Sequence, residues 1–410
     1  LTKTEVQTSN ETQVDSRTEA GSGTVGLGLA LRQNSRYVMK RSTALLSRLE
    51  EALTGSYKST YGIAVTRILI GFTGLGLLVT NFNSRHYTFG VGSAWNGEIA
   101  QPTSDFPQMW IFSLFHHVAA TPWLFTLLYL ALAGLAIVVA LGWRTRLVLP
   151  FYLIFWISFI EVNDAAGDQG DNAYRMFLLA MLFTNSSMRW SLDSRRRRRN
   201  ERAPRPIVQK YRWVPVTSHN LALVVLAFQV CAIYVSGGLY KAGGDPWAHG
   251  YAIYDPLQTA QFGTWPVLSD LLTTWGPLVV LMTWGSLTFQ IAFPFLLFNK
   301  YTKIIALLGI LSFHIAIGLL MGLPWFSLTM IAVDAIFVRD RSYRRVARKL
   351  SQLTGRRAGG GPHDLSDRNS VSKRDEDVTL AEKQTGQAPT SGANLTQGAS
   401  RMSPTKVPRS

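Results

Sequence analysis

The chain carries one cysteine, Cys231, in 410 residues. A lone cysteine closes no internal disulfide and builds no cysteine-based metal site. Its place in an apolar run fits a small buried side chain. The sequence has no phosphate-cradling glycine loop, no nucleophile elbow and no His-Glu-x-x-His pair. The common signatures of nucleotide hydrolysis, serine hydrolysis and zinc proteolysis are therefore missing. Tandem repeats are also absent. Acidic residues are few: 25 Asp and Glu face 41 Lys and Arg, for a net charge of +16. In a soluble protein such a balance suggests nucleic acid. Here the basic residues stand in blocks and are not interleaved with aromatics, so no nucleic-acid partner is expected. The chain opens Leu1-Thr-Lys-Thr-Glu5, with neither Met nor a secretory signal. We expect a truncated or processed start.

What the chain does have is unevenly distributed. Polar ends flank an apolar middle that holds nearly all of the Trp, Phe, Leu and Ile. Three regions follow: 1–58, a cytoplasmic tail with an amphipathic helix; 59–338, a transmembrane domain; and 339–410, a basic, disordered cytoplasmic tail. In the first, Leu45, Leu49 and Leu53 recur at helical spacing with charges opposite, as on a helix lying on a membrane surface. In the second, apolar runs were matched to the ~20 residues that cross a bilayer. They fall at 61–81, 122–143, 147–162, 172–187, 221–240, 277–298, 302–322 and 325–338. The third, fourth and eighth are short, and fit only if tilted or shielded by protein. The fold class is all-α: a polytopic membrane helix bundle of about eight spans.

Charge in the loops gives the orientation. Arg and Lys gather on the cytoplasmic side of a membrane. Basic residues crowd the N-terminal tail, Arg144 and Arg146, the run Arg195 to Arg199, Lys300 and Lys303, and the start of the C-terminal tail. Every alternate connection is poor in them. Eight spans with both termini cytoplasmic fit this alternation, and an odd number breaks it. The arginine run then reads as a topology signal in contact with lipid headgroups. The setting is a multi-pass protein of a plasma membrane, with membrane lipid as a partner.

Polar groups collect on the opposite side. Asn163-Asp-Ala-Ala-Gly-Asp-Gln-Gly-Asp-Asn172 links the third and fourth spans, and Lys241 stands where the fifth apolar run ends. Lys241 and the carboxylates of Asp164, Asp168 and Asp171 are expected to converge. The Asp-rich loop has two readings: a solvated, helix-capping loop, or an oxygen-lined cation site without the complete EF-hand spacing. Lys241 also has two. It is paired or snorkelling to the interface, or it is a general base, because an amine among apolar groups gives up its proton more readily. Tyr240, Trp247, Tyr251 and Tyr254 form either an interfacial belt or an aromatic wall for a flat ligand. Gln229, Gln290 and His314 read as isolated polar groups that bond between helices. Glu161 and Asp334, near span ends, need only nearby partners. No metal site is expected.

Two blocks of residues resemble a known family. One is Leu141-Gly-Trp-Arg-Thr-Arg146, Ser158, Gly170-Asp171, Arg175 and Ser191-Leu-Asp193. The other is Tyr234, Ser236-Gly-Gly-Leu-Tyr-Lys241 and Trp247-Ala-His-Gly250. Their order and placement between spans are similar to the bacterial HTTM (horizontally transferred transmembrane) domain, which is related to the vitamin K-dependent gamma-carboxylase. The resemblance covers about residues 60 to 338. It implies that Lys241 stands at the position of the lysine base that deprotonates the vitamin K hydroquinone. It also implies a reduced quinone or small hydrophobic ligand as cofactor or partner; the candidates to bind it are Asp171 and Asn172 and the aromatic wall read from residue type, Tyr240, Trp247, Tyr251 and Tyr254. A histidine of the carboxylase has no clear counterpart, although Asp171-Asn172 stands near its place. Residues 339–410 are too short and polar to replace the carboxylase's lumenal substrate domain, so carboxylation of protein glutamates is not expected. Two functions are carried forward: a quinol- or lipid-handling enzyme, and a non-catalytic immunity or transport-accessory protein on the same scaffold.

The orientation has a direct test. In a Cys231→Ser background, single cysteines placed near Asp168 and near Arg198 should react differently with an impermeant thiol reagent on intact cells. Labelling near Asp168 alone is the expected outcome. Labelling near Arg198 alone would invert the orientation.

Overall fold

The structure is a computed structural model that describes residues 39–97, 99–102, 104–200 and 210–353. The tails 1–38 and 354–410, the second within the region expected to be disordered, lie outside the described residues. Every regular element among the described residues is helical. The chain divides into two units, Leu1–Arg345 and Val346–Ser410. Of the second, only 346–353 is described, and it is helical.

We label the main helices α1 (39–54), α2 (Thr60–Thr80), α3 (Pro122–Leu141), α4 (Thr145–Ile160), α5 (Gln169–Leu182), α6 (Leu192–Arg199), α7 (Trp213–Ala242), α8 (Gly276–Leu296), α9 (Thr302–Leu320), α10 (Pro324–Asp334) and α11 (Asp340–Leu353). Five of them, α2, α3, α7, α8 and α9, are long and apolar enough to cross a membrane. The short spans expected third, fourth and eighth correspond to α4, α5 and α10, of 16, 14 and 11 residues. Prolines open α3 and α10, where the missing N–H costs nothing. The outer surface is apolar: Leu127, Leu130, Phe228, Leu281, Phe295, Ile304 and Leu308 are all exposed. Such a surface suits a lipid solvent, in which only internally bonded backbone is tolerated.

Helix α2 lies at the centre of the bundle and packs against both α3 and α10. Its glycines permit the approach. A Cβ on Gly71 would meet the backbone of Ala136 and Ala140 on α3 at 2.8 and 2.7 Å. Buried tyrosines then bond to its backbone: Tyr174 donates to the Ile70 carbonyl and Tyr129 to the Leu78 carbonyl, each at 2.6 Å. Tyr152 in turn meets Tyr174 at 2.7 Å. Close contact through small residues and interhelical bonds holds helices together where hydrophobic burial supplies little.

The ends of the helices are tied by side chains distant in sequence. Disorder is expected from residue 339 onward, yet Asp340–Leu353 is a helix. Its Val346, Leu350 and Leu353 recur at helical spacing among arginines, a pattern that favours an amphipathic helix over coil. The Asp340 carboxylate also accepts hydrogen bonds from Thr60 N, Thr60 Oγ1 and Tyr61 N at 2.9 to 3.1 Å. It thereby caps α2 and complements its dipole. Asn220 on α7 donates to the Leu53 and Ser56 carbonyls, which fixes the end of α1.

Two pieces of the first resemblance block, 141–146 and 191–193, form one turn at the basic end of the bundle. Gly142 ends α3 at φ 68°. Its carbonyl accepts from Asp193 N at 3.1 Å, and the Asp193 carboxylate accepts from Arg144 N and Thr145 N at 2.8 and 3.0 Å to start α4. Arg67 of α2 is wholly buried behind this turn and donates to the Trp190 carbonyl at 2.7 Å. A Cβ on Gly142 would lie 1.4 Å from Arg67 Nη1. Gly142→Ala is therefore expected to destabilise the fold by more than the roughly 1–2 kcal/mol that the left-handed backbone alone costs. Gly134→Ala, on the same helix with open space around it, should leave stability unchanged or raise it by up to about 1 kcal/mol. Thermal unfolding of the two variants in detergent makes the comparison.

Candidate functional site

Lys241 stands in the last turn of α7, which ends at Ala242. A glycine brings the next helix close to it. A Cβ on Gly238 would lie 2.7 Å from Ile291 Cγ1 of α8, so only a glycine allows this spacing. The approach delivers Lys241 Nζ to Gln290 Oε1 at 3.0 Å. Gln290 is buried, and its amide donates in turn to the Ser286 carbonyl at 3.0 Å, which fixes the direction of the acceptor. The ammonium also lies 5.3 Å from the Trp247 ring and 5.6 Å from the Phe313 ring, within the range of cation–π attraction.

The loop after α7 is folded to place Trp247. Gly243 and Gly244 continue the helix hydrogen bonds to Leu239 and Lys241. The Trp247 carbonyl accepts from Trp284 Nε1 of α8 at 3.0 Å. Gly250 turns the chain at φ 80°, with Val280 and Trp284 packed on it.

A second polar group lies two turns deeper on α7. Tyr234 precedes Lys241 by seven residues, which puts both on one face about 10 Å apart along the axis. Its hydroxyl donates to Asp334 Oδ2 of α10 at 2.7 Å and meets His314 Nε2 of α9 at 3.0 Å. All three side chains are buried. With the hydroxyl proton directed at the carboxylate, the histidine is the donor to the tyrosine oxygen through Nε2–H. His314 Nδ1 and Asp334 Oδ1 have no hydrogen-bond partner among the described residues.

His314 and Gln290 read in the sequence as isolated, and Asp334 as a span-end residue. The structure assigns two of them to a cluster with Tyr234 and the third to Lys241. The signal was one polar residue in each of several apolar helices. What the pattern could not give was which helices are neighbours.

The expected convergence of Lys241 with Asp164, Asp168 and Asp171 is not formed, because an amide holds the amine. The carboxylates have local work instead. Asp168 Oδ1 accepts from Gly170 N and Asp171 N, and Asp171 Oδ2 accepts from Asp168 N, a reciprocal cap on α5. Asn172 Oδ1 accepts from Arg175 Nε at 3.1 Å, and Arg175 pairs with Glu161 beneath the Phe106 ring. These groups line a cleft of about 500 Å³ with Trp156 and Asp164. Among the described residues no three His, Cys, Asp or Glu come together as a metal site.

Of the four aromatics named from sequence, Trp247 has its ring over the Lys241 amine. Tyr240 is 89% exposed on the outside of α7, and Tyr251 and Tyr254 are also exposed. Tyr251 donates to Asp245 Oδ2 at 3.3 Å. Phe313, which sequence reasoning did not single out, supplies the other ring at Lys241.

Comparison with known proteins identifies the family. The HTTM domain matches residues 60–341. An uncharacterised protein of Bacillus subtilis (strain 168), YitO, is 25% identical over 212 residues, covering 50% of this chain and 64% of its own length. The chain thus spans just under two thirds of that relative. No solved structure matches the chain.

The Tyr234 cluster has a measurable stability. Tyr234→Phe removes the one side-chain donor to Asp334 among the described residues and is expected to cost about 1–3 kcal/mol. In a double-mutant cycle with Asp334→Asn, measured by thermal unfolding, the two changes should be clearly non-additive. Additive losses would mean that the hydroxyl and the carboxylate act independently.

Proposed function

We propose that this chain, which belongs to the HTTM domain family and is a multi-pass membrane protein, binds a reduced quinone or a similar flat lipid beside Lys241 and takes a proton from it. In this reading eight helices cross a bacterial plasma membrane with both chain ends in the cytoplasm. Lys241 then opens to the outer side.

The observation that carries the reading is the company Lys241 keeps. Its amine is held by a neutral amide and lies near two aromatic rings. Among the described residues it stands in no ion pair. An amine held this way is positioned without being neutralised by a carboxylate. A flat aromatic ligand that enters alongside Trp247 and Phe313 would bring a phenolic hydroxyl to Nζ. With Lys241 entering as the neutral amine, the proton passes from the ligand oxygen to the nitrogen lone pair and leaves an oxyanion beside the ammonium so formed. Gln290 keeps its oxygen on the amine throughout, so the base stays in place as its charge changes. Charge that develops in a dry site is stabilised far more strongly there than in water. The exposed apolar surface of the bundle lets a lipid-soluble ligand arrive through the bilayer.

The test is binding and turnover with a defined ligand. Purified protein in nanodiscs should bind a reduced menaquinone analogue, with a change in Trp fluorescence that Trp247→Leu reduces. Lys241→Ala should lower quinol-dependent turnover by at least about 10²-fold, the usual contribution of a general base. Folded yield and melting temperature should be preserved. Binding with undiminished turnover in Lys241→Ala would remove the base assignment. Absence of binding in the native chain would favour the non-catalytic reading.

A further inference from the structure

The other end of the bundle holds a second cleft, of about 720 Å³, between the α3–α4 turn, the loop after α5 and α6. Four arginines line it: Arg144, Arg146, Arg196 and Arg197. Asn185 and Ser187 also face it. The only carboxylate in the lining is Asp193. Its oxygens are already bound to Arg144 N, Thr145 N and Thr145 Oγ1. Among the described residues none of the four guanidinium groups is in an ion pair.

Four like charges gathered around one carboxylate repel one another, and the turn holds them together all the same. Arg144 is fixed by the Asp193 cap on its backbone, and its guanidinium lies 5.3 Å from the Trp143 ring. Arg197 donates to the Ser187 carbonyl. Burial and the nearby charge of Arg146 both push the Arg197 guanidinium down from its ordinary value, against the pull of Asp193. The cost of this assembly is recovered when an anion binds. A guanidinium fork matches two oxygens of one phosphate, and several forks around one cleft can satisfy all of them.

The surroundings identify the source of the phosphate. Leu147 and Met188 complete the lining, and Leu147 is 61% exposed on the side of the apolar helix α4. Trp143, half exposed beside the arginines, has the position of an interfacial indole. A cleft that is cationic above and apolar below fits a headgroup with its chains attached. We propose that this cleft is a specific site for the phosphate of an acidic phospholipid, whose acyl chain runs down past Leu147.

The experiment uses the full chain in phosphatidylcholine nanodiscs, titrated with short-chain phosphatidylglycerol and, separately, with inorganic phosphate. Phosphatidylglycerol should bind saturably. Arg146→Gln combined with Arg196→Gln should weaken it by about tenfold or more, since each charge-assisted bond lost is worth roughly that factor. Arg195→Gln combined with Arg199→Gln removes the same amount of charge from α6 outside the cleft, and should weaken binding by less than about twofold if screening is all that changes. The charge-preserving pair Arg146→Lys and Arg196→Lys keeps the fold's electrostatics and should fall between the two. Equal losses in the Arg146/Arg196 and Arg195/Arg199 pairs would reduce the site to a diffuse basic surface and overturn the proposal. Inorganic phosphate binding as tightly as the lipid would identify a soluble anion as the ligand and overturn the lipid assignment.

Discussion

A polar group taken out of water has to find its partner inside the protein. Nearly every defined feature of this bundle follows from that constraint. It makes the apolar runs helical, because a helix bonds its own backbone. It explains the tyrosines that reach α2, whose hydroxyls are donated to backbone carbonyls of that helix. It explains why carboxylates far along the chain return to helix N-termini, Asp340 to α2 and Asp193 to α4. It also makes the exceptions informative. Lys241, His314, Asp334 and Arg67 are ionisable side chains on or beside apolar helices, and each is met by a specific partner.

Those partners are made possible by missing side chains. Gly238 lets α8 approach α7 so that an amide reaches Lys241. Gly142 leaves room for the Arg67 guanidinium behind the α3–α4 turn. At each place, a residue with no side chain decides where a charged one can sit. The two resemblance blocks, separated by many residues, both work in this way. A glycine sets the spacing, and a polar or charged side chain fills the space that results.

The apolar run lengths, read against the thickness of a bilayer, were enough to locate the main helices. Pro122 opens its helix where the run was expected to begin, whereas Gly142, which ends α3, lies inside the expected run 122–143. Lys241 stood out too, as a charge at the edge of a long apolar run. Its partner did not. Gln290 is an ordinary interhelical amide until α7 and α8 are known to be neighbours. The Tyr234–Asp334–His314 cluster draws on three helices, and no spacing along one chain encodes a three-helix contact. Of the readings of the Asp-rich loop, the helix cap is the one observed, since Asp168 and Asp171 cap the helix they begin; the convergence with Lys241 is not formed. Local hydrogen bonds of this kind close short loops at little cost in chain entropy.

The two ends of the bundle solve the problem of positive charge differently, and the difference bears on what each can do. At the arginine end, guanidinium groups that keep their proton at any ordinary pH are collected around an open cleft. That chemistry can hold an anion but cannot move a proton. At the lysine end there is a single amine, held by a neutral amide and bordered by aromatic rings. That group can exist in two protonation states, and no neighbouring carboxylate fixes which. The buried tyrosine–carboxylate–histidine cluster lies two helical turns from it on the same face of α7. An arginine at position 241 would keep the charge and the cation–π contacts and would lose the exchangeable proton. The residue type at each end is therefore itself an argument for the two proposals, an anion bound at the arginines and a proton moved at the lysine.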